Sequence, residues 1–303
     1  MRYGFIGLGN LGRCLAANLL KAGFNVAVHD LDKTAAEDLL AAGAEWAESP
    51  RDAAEGSDAV FTCLPSPKAT VAVLTGPEGA FEGLAPGATW IEMSTNDPNE
   101  IKRLAEAAAA KGLKTLEAPV TGGVHRAATG EITILVGGEE EVFRTHEAAL
   151  QAMGGEVLHM GGLGQASVIK VITNMLAFIH LVAAGEALML AKRGGLDLTK
   201  AFEAIRASSG NSFVHETESQ VILNGSYNIG FTMDLACKDL GFALGFGDEF
   251  GVPLALAGEV ERIFTRARES YGGEAWSPLV VKLLEDALDT DLRAPGFPER
   301  LEG

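Results

Sequence analysis

Cysteine is scarce in this sequence of 303 residues, and histidine forms no recognisable metal-binding pattern. The three cysteines, Cys14, Cys63 and Cys237, lie far apart and form no CxxC pair. This spacing excludes a disulfide framework and a zinc knuckle, and it favours a reducing, cytoplasmic location. The six histidines form no HExxH motif and no close pair, so the sequence predicts no metal site.

Positive charge is also in short supply. Lysine and arginine total 24 against 41 aspartates and glutamates, which gives a formal net charge of −17. A field of this sign repels phosphate backbones and anionic lipid surfaces. We therefore expect neither nucleic acid nor a membrane as a partner, although a local basic pocket can still hold one small anion.

One long apolar stretch stands out, over residues 171–190. Polar residues interrupt it, among them Asn174 and Glu186, and Lys170 and Lys192 bracket it. A membrane span is usually an uninterrupted run of about 20 apolar residues. The stretch is therefore interpreted as a buried helix of a soluble protein.

Glycine, by contrast, is abundant, with 37 residues, roughly 12% against a usual ~7%. The first cluster reads Gly7-Leu8-Gly9-Asn10-Leu11-Gly12, a GxGxxG motif between a predicted strand and a predicted helix. In that context Gly7 makes a tight turn, Gly9 lets the backbone approach a pyrophosphate, and Gly12 lets helix and strand pack closely. The motif alone is weak and also fits a plain glycine turn.

The first half of the chain alternates strands and helices, whereas the second half is helical throughout. The predicted strands span residues 3–6, 25–29, 59–64, 89–93, 115–117, 131–136 and 156–160, and the predicted helices between them span 11–22, 33–42, 68–74, 97–110 and 139–153. A long helix is predicted over 165–193, followed by helices over 198–208, 214–223, 235–250, 252–270 and 278–288.

This alternation predicts an α/β Rossmann-type dinucleotide-binding domain with a mostly parallel sheet over residues 1–161. A long linking helix and an all-α C-terminal domain follow over residues 162–290. Residues 291–303 are expected to form an extended or disordered tail.

Asp30 lies 18 residues after Gly12, at the end of the second predicted strand. A carboxylate there accepts hydrogen bonds from the ribose hydroxyls of NAD and repels the 2′-phosphate of NADP. No arginine follows it, and Lys33 is the only obvious residue that would favour NADP. NAD is therefore the expected cofactor, and NADP is less favoured. An alternative is that Asp30 only caps the helix that starts near Lys33.

Lys170 and Asn174 lie one helical turn apart in the long predicted helix. Residues at i and i+4 project on the same side, so an ammonium and a carboxamide there can address one oxygen-bearing substrate. The alternative is a lysine that extends to solvent from the edge of the helix, and spacing alone favours this alternative.

Several collinear segments resemble the β-hydroxyacid dehydrogenase family, whose members include 3-hydroxyisobutyrate dehydrogenase. The glycine-rich opening is similar to the family's nucleotide-binding motif. Residues 117–123, Glu-Ala-Pro-Val-Thr-Gly-Gly, resemble its substrate signature, usually Asp-Ala-Pro-Val-Ser-Gly-Gly. Residues 161–174 resemble its catalytic segment, and Lys238-Asp239 its Lys-Asp pair. The resemblance also implies a C-terminal domain like that of 6-phosphogluconate dehydrogenase, used for substrate binding and dimerisation.

The resemblance implies a role for each matching residue. Lys170 is the implied general acid/base and Asn174 the residue that orients the substrate, while Thr121, Gly122 and Gly123 hold the substrate carboxylate. The implied cofactor contacts are Gly7, Leu8, Gly9, Asn10, Leu11, Gly12, Asp30, Cys63, Leu64, Pro65, Ser94, Thr95, Phe231 and Lys238. A lysine base requires burial or a nearby cation that favours its neutral form, because its ordinary pKa is about 10.4.

Three departures from the family pattern concern the substrate. Thr121 replaces the usual serine, and Thr173 stands where many members carry asparagine. Arg126 follows the glycines; it would recognise a second anionic group if it pointed inward, but an exposed loop charge is the favoured interpretation.

The sequence thus predicts an NAD-dependent enzyme that interconverts a small 3-hydroxy acid, such as 3-hydroxyisobutyrate, and its semialdehyde. One alternative is an NADPH-preferring reductase of glyoxylate, succinic semialdehyde or tartronate semialdehyde. An alternative of another class is a dinucleotide-binding module without catalysis. The extended apolar helix and the resemblance predict a homodimer or homotetramer.

Overall fold

The structure of the chain is a computed structural model that describes residues 1–301. The chain divides into two compact units, Met1–Lys170 and a second unit from Val171 onward. The division falls inside one long helix. The domain boundary expected at residue 161 stays a prediction.

A nine-stranded sheet forms the centre of the first unit in the described chain. Its strands are β1 Arg2–Ile6, β2 Asn25–His29, β3 Glu45–Trp46, β4 Ala59–Thr62, β5 Thr89–Glu92, β6 Lys114–Glu117, β7 Val120–Thr121, β8 Ile132–Gly138 and β9 Gly154–Gly161. The order is β3-β2-β1-β4-β5-β6-β8-β7, and β9 pairs with β8. Only the β6–β8 and β7–β8 pairs are antiparallel, so the predicted mostly parallel sheet is confirmed.

Eight α-helices connect these strands in the described part of the first unit. They are α1 Gly12–Lys21, α2 Glu37–Ala41, α3 Pro50–Ala54, α4 Pro67–Thr75, α5 Ala80–Gly83, α6 Pro98–Ala109, α7 Val124–Thr129 and α8 Glu140–Met153. Three of them begin with proline after a serine or aspartate cap, as at Ser66, whose Oγ accepts from the Ala69 amide at 3.2 Å. Proline at the first helical position leaves no amide unsatisfied there. The predicted helix over 33–42 is instead a 3₁₀ turn, Lys33–Ala36, followed by α2.

Apolar side chains cover both faces of this sheet. Phe5 and Phe61 belong to one buried cluster, whereas their chain neighbours Ile6 and Val60 belong to another. Successive residues of a strand point to opposite faces. The alternation explains why the central strands are apolar throughout and why helices lie on both sides.

The second unit is helical, as predicted. Helix α9, Gln165–Arg193, runs into it from the first unit and is followed by α10 Leu198–Arg206, α11 Phe213–Asn224, α12 Met233–Phe250, α13 Ala255–Tyr271, a 3₁₀ turn Ser277–Val281 and α14 Lys282–Ala287. The unit has its own core, in which the rings of Phe178 and Phe264 meet edge to face at 5.3 Å.

Helix α9 is long and apolar enough to cross a membrane, judged by length and composition alone. A third of its most apolar 18-residue window is buried within the chain, and Leu176 and Leu190 are 44% and 76% exposed. The prediction of a buried helix is therefore right for only part of it. Leu181 and Leu188 of the same helix are buried in the core of the second unit, so some of its apolar residues pack against that core and others are exposed.

The tail from residue 291 to 301 contains no helix or strand but packs onto the second unit. Leu292 is fully buried, and Arg293 forms an ion pair with Glu285 at 3.1 Å. The Asn224 Nδ2 donates to the Phe297 carbonyl at 3.0 Å. These contacts make the tail extended and fixed rather than disordered; residues 302 and 303 of the predicted tail lie outside the described residues.

Candidate functional site

The GxGxxG turn connects β1 to α1, and two of its glycines are required by packing. Gly7 has φ of +98°, and a Cβ there would lie 2.3 Å from the Cys63 carbonyl oxygen. A Cβ on Gly12 would lie 2.0 Å from the Gly7 oxygen. Gly9 differs, because a Cβ there would meet no heavy atom within 4 Å. The backbone at Gly9 is therefore open to a ligand, as a pyrophosphate-binding turn requires.

The start of α1 is suited to an anion. Leu11, the residue that precedes the helix, provides no side-chain cap, and the first turn holds no acidic residue. Asn10 beside it is exposed. A helix N-terminus of this kind directs amide groups and the positive end of the helix dipole at whatever lies in front of it.

Asp30 lies beside this turn, with both carboxylate oxygens engaged. Its Oδ2 accepts from the Leu8 amide at 2.6 Å, and its Oδ1 accepts from the Asp32 amide at 3.0 Å. The helical turn that follows is capped by Asp32, which accepts from the Thr34 amide. Asp30 is therefore not the cap of that turn, and its carboxylate is fixed at the edge of the glycine motif.

The second predicted cofactor loop, Cys63 to Pro65, follows β4. The Leu64 amide donates to the Ser94 Oγ at 2.7 Å, which ties this loop to the one after β5. Thr95, next to Ser94, is half-buried. Burial, together with the charge of Glu92, raises the pKa of the Cys63 thiol to about 12, so this cysteine stays protonated and is not a nucleophile.

Glu92 is a buried carboxylate at the end of β5 that the sequence reasoning did not select. It accepts from the Ser94 amide at 2.7 Å and from the Thr62 Oγ1 at 3.0 Å. Burial raises the pKa of Glu92 to about 7, against the opposing effect of these hydrogen bonds. Through Ser94 and Leu64, Glu92 supports both of the predicted cofactor loops. The signal in the sequence was an acidic residue inside an otherwise buried strand.

The predicted substrate loop follows the short strand β7. Thr121 pairs with Thr133 of β8, and Gly122 and Gly123 have φ of +124° and +90°. Gly123 directly precedes α7, which carries Arg126. Arg126 is half-buried, and its Cδ lies 3.3 Å from the position of a Cβ on Gly122. The favoured interpretation of Arg126 as an exposed loop charge is therefore wrong, because it belongs to a helix that packs over the glycine turn.

Lys170 and Asn174 lie one turn apart on α9 and are 7% and 9% exposed. The Asn174 Nδ2 donates to the Asp239 Oδ2 at 2.6 Å, and Asp239 is 1% exposed. This bond fixes which way the carboxamide points. Asp239 also forms an ion pair with Lys238 at 3.4 Å. The contact joins residues 65 positions apart, and no local sequence pattern indicates such a pairing. The Lys-Asp pair did single out Asp239, but not its partner Asn174.

The two remaining cofactor residues belong to the second unit. Phe231 is half-buried just before α12, with its ring 6.1 Å from that of Phe178. Lys238 is one turn inside α12, and its Nζ lies 5.8 Å from the ring of Phe242. The other predicted cofactor residues lie in the first unit, so the participation of this pair stays a prediction.

The chain matches known families over almost its whole length. A model described as the NAD binding domain of 6-phosphogluconate dehydrogenase matches residues 2–162. A second, described as "NAD-binding of NADP-dependent 3-hydroxyisobutyrate dehydrogenase", matches residues 164–284.

Individual relatives agree with these models. The chain is 35% identical to 2-(hydroxymethyl)glutarate dehydrogenase of Eubacterium barkeri, over 94% of this chain and 95% of that protein. It is 36% identical to L-threonate dehydrogenase of Cupriavidus necator, over 91% and 94%. The crystal structure of 3-hydroxyisobutyrate dehydrogenase from Salmonella typhimurium superposes with a TM-score of 0.87 at 31% identity, covering 93% of this chain and 99% of that one.

These relatives are dehydrogenases, and the matches include both the dinucleotide-binding unit and the helical unit. The protein is therefore an NAD(P)-dependent oxidoreductase that acts on a CH–OH group, and it belongs to the β-hydroxyacid dehydrogenase family.

Proposed function

We propose that this enzyme interconverts a small 3-hydroxy acid and its semialdehyde with NAD, and that 3-hydroxyisobutyrate-like compounds are its first candidate substrates. The observation that carries the proposal is the arrangement on α9, where a buried lysine lies one turn from a carboxamide held by Asp239. The Salmonella relative, a 3-hydroxyisobutyrate dehydrogenase, supports the choice of substrate.

Lys170 acts as the general acid/base in this proposal. The cofactor supplies, when bound, the acceptor or donor of the hydride. In the oxidative direction the Lys170 Nζ takes the proton of the substrate hydroxyl, and in the reductive direction it returns that proton to the carbonyl oxygen.

Asn174 and the loop after β7 orient the substrate. Because the Asn174 Nδ2 is directed at Asp239, the carboxamide holds one orientation toward the substrate oxygen. The Thr121 hydroxyl and the amides of Gly122 and Gly123 receive the substrate carboxylate. Local donors of this kind are needed because the chain as a whole carries a charge of −17.

The residues around Asp30 support NAD rather than NADP. The carboxylate is fixed beside the glycine turn by the Leu8 amide. Lys33, the residue that would favour NADP, lies 3.6 Å from a Glu48 carboxylate oxygen and 5.0 Å from the ring of Trp46. These contacts give Lys33 partners other than a cofactor phosphate.

The proposal is tested by a substrate panel measured with NAD+ and NADP+ in parallel for oxidation, and with NADH and NADPH in parallel for reduction. The panel contains 3-hydroxyisobutyrate, 2-(hydroxymethyl)glutarate and L-threonate in the oxidative direction, with glyoxylate, succinic semialdehyde and tartronate semialdehyde in the reductive direction. We expect the highest kcat/KM for 3-hydroxyisobutyrate with NAD+, since discrimination lies in differential transition-state binding. A higher kcat/KM for a semialdehyde with NADPH would contradict the proposal. If no compound were turned over, the proposal would fail in favour of a dinucleotide-binding module without catalysis.

Asp30→Asn tests the cofactor assignment. Removing the charge should lower the ratio of kcat/KM for NAD+ over NADP+ by about tenfold, because one charge-assisted hydrogen bond is worth roughly 1.5 kcal/mol. Asp32→Asn, two residues away and exposed, is the matched control and should leave the ratio unchanged. An unaltered ratio in Asp30→Asn would remove Asp30 from cofactor selection. A cytoplasmic location and a homodimeric or homotetrameric assembly stay predictions.

A further inference from the structure

Glu117, the last residue of β6, binds the start of the helix that carries Lys170. Its Oε1 accepts from the Gly164 amide at 2.7 Å and from the Ala166 amide at 2.9 Å. Its Oε2 accepts from the Ser167 hydroxyl. The side chain is fully buried. Glu117, a strand residue 47 positions before Gly164, thus caps the N-terminus of α9, as a neighbouring side chain does in an ordinary helix.

Burial and hydrogen bonding act on the Glu117 carboxyl group in opposite directions. Burial raises the pKa of Glu117, while the hydrogen bonds from the start of α9 act in the opposite direction. The positive end of the dipole of a 29-residue helix faces the same group. The amides and the helix dipole favour the ionised form of Glu117, burial opposes it more strongly, and the pKa of Glu117 is raised as a result.

The sheet is built to leave space for this glutamate. Gly137 of β8 lies opposite Glu117 in the antiparallel pair. A Cβ on Gly137 would lie 2.3 Å from the Glu117 Oε1 and 2.9 Å from its Cγ. Any larger residue at 137 would displace the carboxylate from the amides that it holds, without itself changing α9.

The anchored turn directly precedes Lys170. Ala166 and Ser167 are four and three residues before it, so they lie on the same side of the helix. A helix transmits a shift of its first turn to the next one, and a misplacement of about 1 Å can cost about 100-fold in rate. We propose that Glu117 is a positioning residue, which fixes the start of α9 and thereby the place of the Lys170 amine; this rests on the role of Lys170 proposed above.

Two variants release the anchor in different ways. Glu117→Gln keeps the size and one acceptor oxygen but removes the charge, and Gly137→Ala keeps the glutamate but displaces it. We expect kcat to fall about tenfold in the first and about 10- to 100-fold in the second. The Kd for NADH and the KM for the hydroxy acid should stay within about twofold, because the residues that bind them are unchanged. Hydrogen–deuterium exchange at Gly164 and Ala166 should become faster.

The chain offers a matched control for each variant. Glu285 is a buried glutamate that accepts from the Leu292 amide and from the Tyr227 hydroxyl, in the second unit. Glu285→Gln should lower stability and leave kcat unchanged. Gly258→Ala places a methyl group where no heavy atom lies within 4 Å and should leave kcat unchanged.

The kinetic constants separate a positioning role from a purely structural one. Unchanged kcat in Glu117→Gln and Gly137→Ala would overturn the proposal. It would also be overturned if NADH affinity fell as much as kcat in these variants and if kcat fell equally in Glu285→Gln. Should Gly137→Ala fail to fold, Glu117→Gln decides alone. Lys170→Ala is measured alongside: if it keeps full turnover, the proposed function fails, whereas inactive Lys170→Ala with fully active Glu117 variants defeats the present inference alone.

Discussion

Glu92 and Glu117 end neighbouring parallel strands and lie opposite each other in register. Both side chains are fully buried, and burial raises the pKa of each. Their donors differ. Glu92 accepts from the Thr62 hydroxyl and the Ser94 amide, close to the cofactor loops, whereas Glu117 accepts from the first turn of α9.

On the proposed function, the same residue type at the same strand position supports two separate parts of the active site. What decides the role is the segment that supplies the donors. Glu92 supports the loops that are expected to bind the dinucleotide, and Glu117 holds the start of the helix that carries Lys170, the residue expected to move the proton. Variants of the two glutamates should therefore affect different measured quantities.

The largest expected effect of changing Glu92 is on the pH dependence of the free energy of unfolding. In the folded protein the pKa of Glu92 is about 7 instead of 4.5, so the folded state binds more protons than the unfolded state between these values. The free energy of unfolding should fall by about 3 kcal/mol as pH rises through this range, owing to Glu92 alone. Urea denaturation at pH 5 and pH 8 should show a fall in the wild type that is smaller by about this amount in Glu92→Gln; Glu117 and Glu218, whose pKa values burial also raises, contribute to the remainder. Glu78→Gln, at an exposed position, is the control and should keep the wild-type dependence.

The next effect is kinetic. Glu117→Ala leaves two amides and a hydroxyl without their acceptor at the start of α9, and kcat should fall about 100-fold, since the amine loses its position. Glu92→Ala should instead weaken NADH binding and leave kcat within a few-fold. Steady-state kinetics and NADH titration of both variants measure the contrast. Equal losses of kcat in the two would show that the two carboxylates serve one common structural role.

The smallest effect separates two serines. Ser94→Ala removes the acceptor of the Leu64 amide and should raise the Kd for NADH about fivefold, as expected for one hydrogen bond of about 1 kcal/mol. Ser167→Ala removes a donor to Glu117 and should lower kcat about fivefold with unchanged Kd. Fluorescence titration with NADH and initial rates test both variants. A changed kcat in Ser94→Ala together with a changed Kd for NADH in Ser167→Ala would contradict the separate roles of the two serines.

Local signals in the sequence predicted much of the fold. Helix α9 was predicted with the bounds that the structure has, because it contains no proline and ends at Gly194-Gly195. The glycine turn was predictable because the spacing of its glycines is a local pattern, and Gly12 packs against Gly7 within one βα unit. Strand β7 and helices α3 and α7 were missed, since elements of two to six residues carry too few positions to show a period.

Contacts between distant segments account for what the sequence could not predict. The residues of the substrate signature include Glu117, but its bond to Gly164 depends on how the sheet and α9 meet. The bond of Asn174 to Asp239 spans 65 residues. The tail was expected to be extended or disordered, and it is ordered by Arg293 and Glu285. None of these pairs has a local pattern that indicates its partner.

Lys170→Ala is the decisive test of whether Lys170 moves the proton. Turnover of 3-hydroxyisobutyrate and the Kd for NADH should be measured on the same preparation. We expect kcat to fall by about 10²- to 10⁴-fold, the contribution typical of general acid–base catalysis, while the Kd for NADH stays within about twofold. Unchanged turnover with unchanged NADH binding would contradict the account and assign the proton transfer to another group.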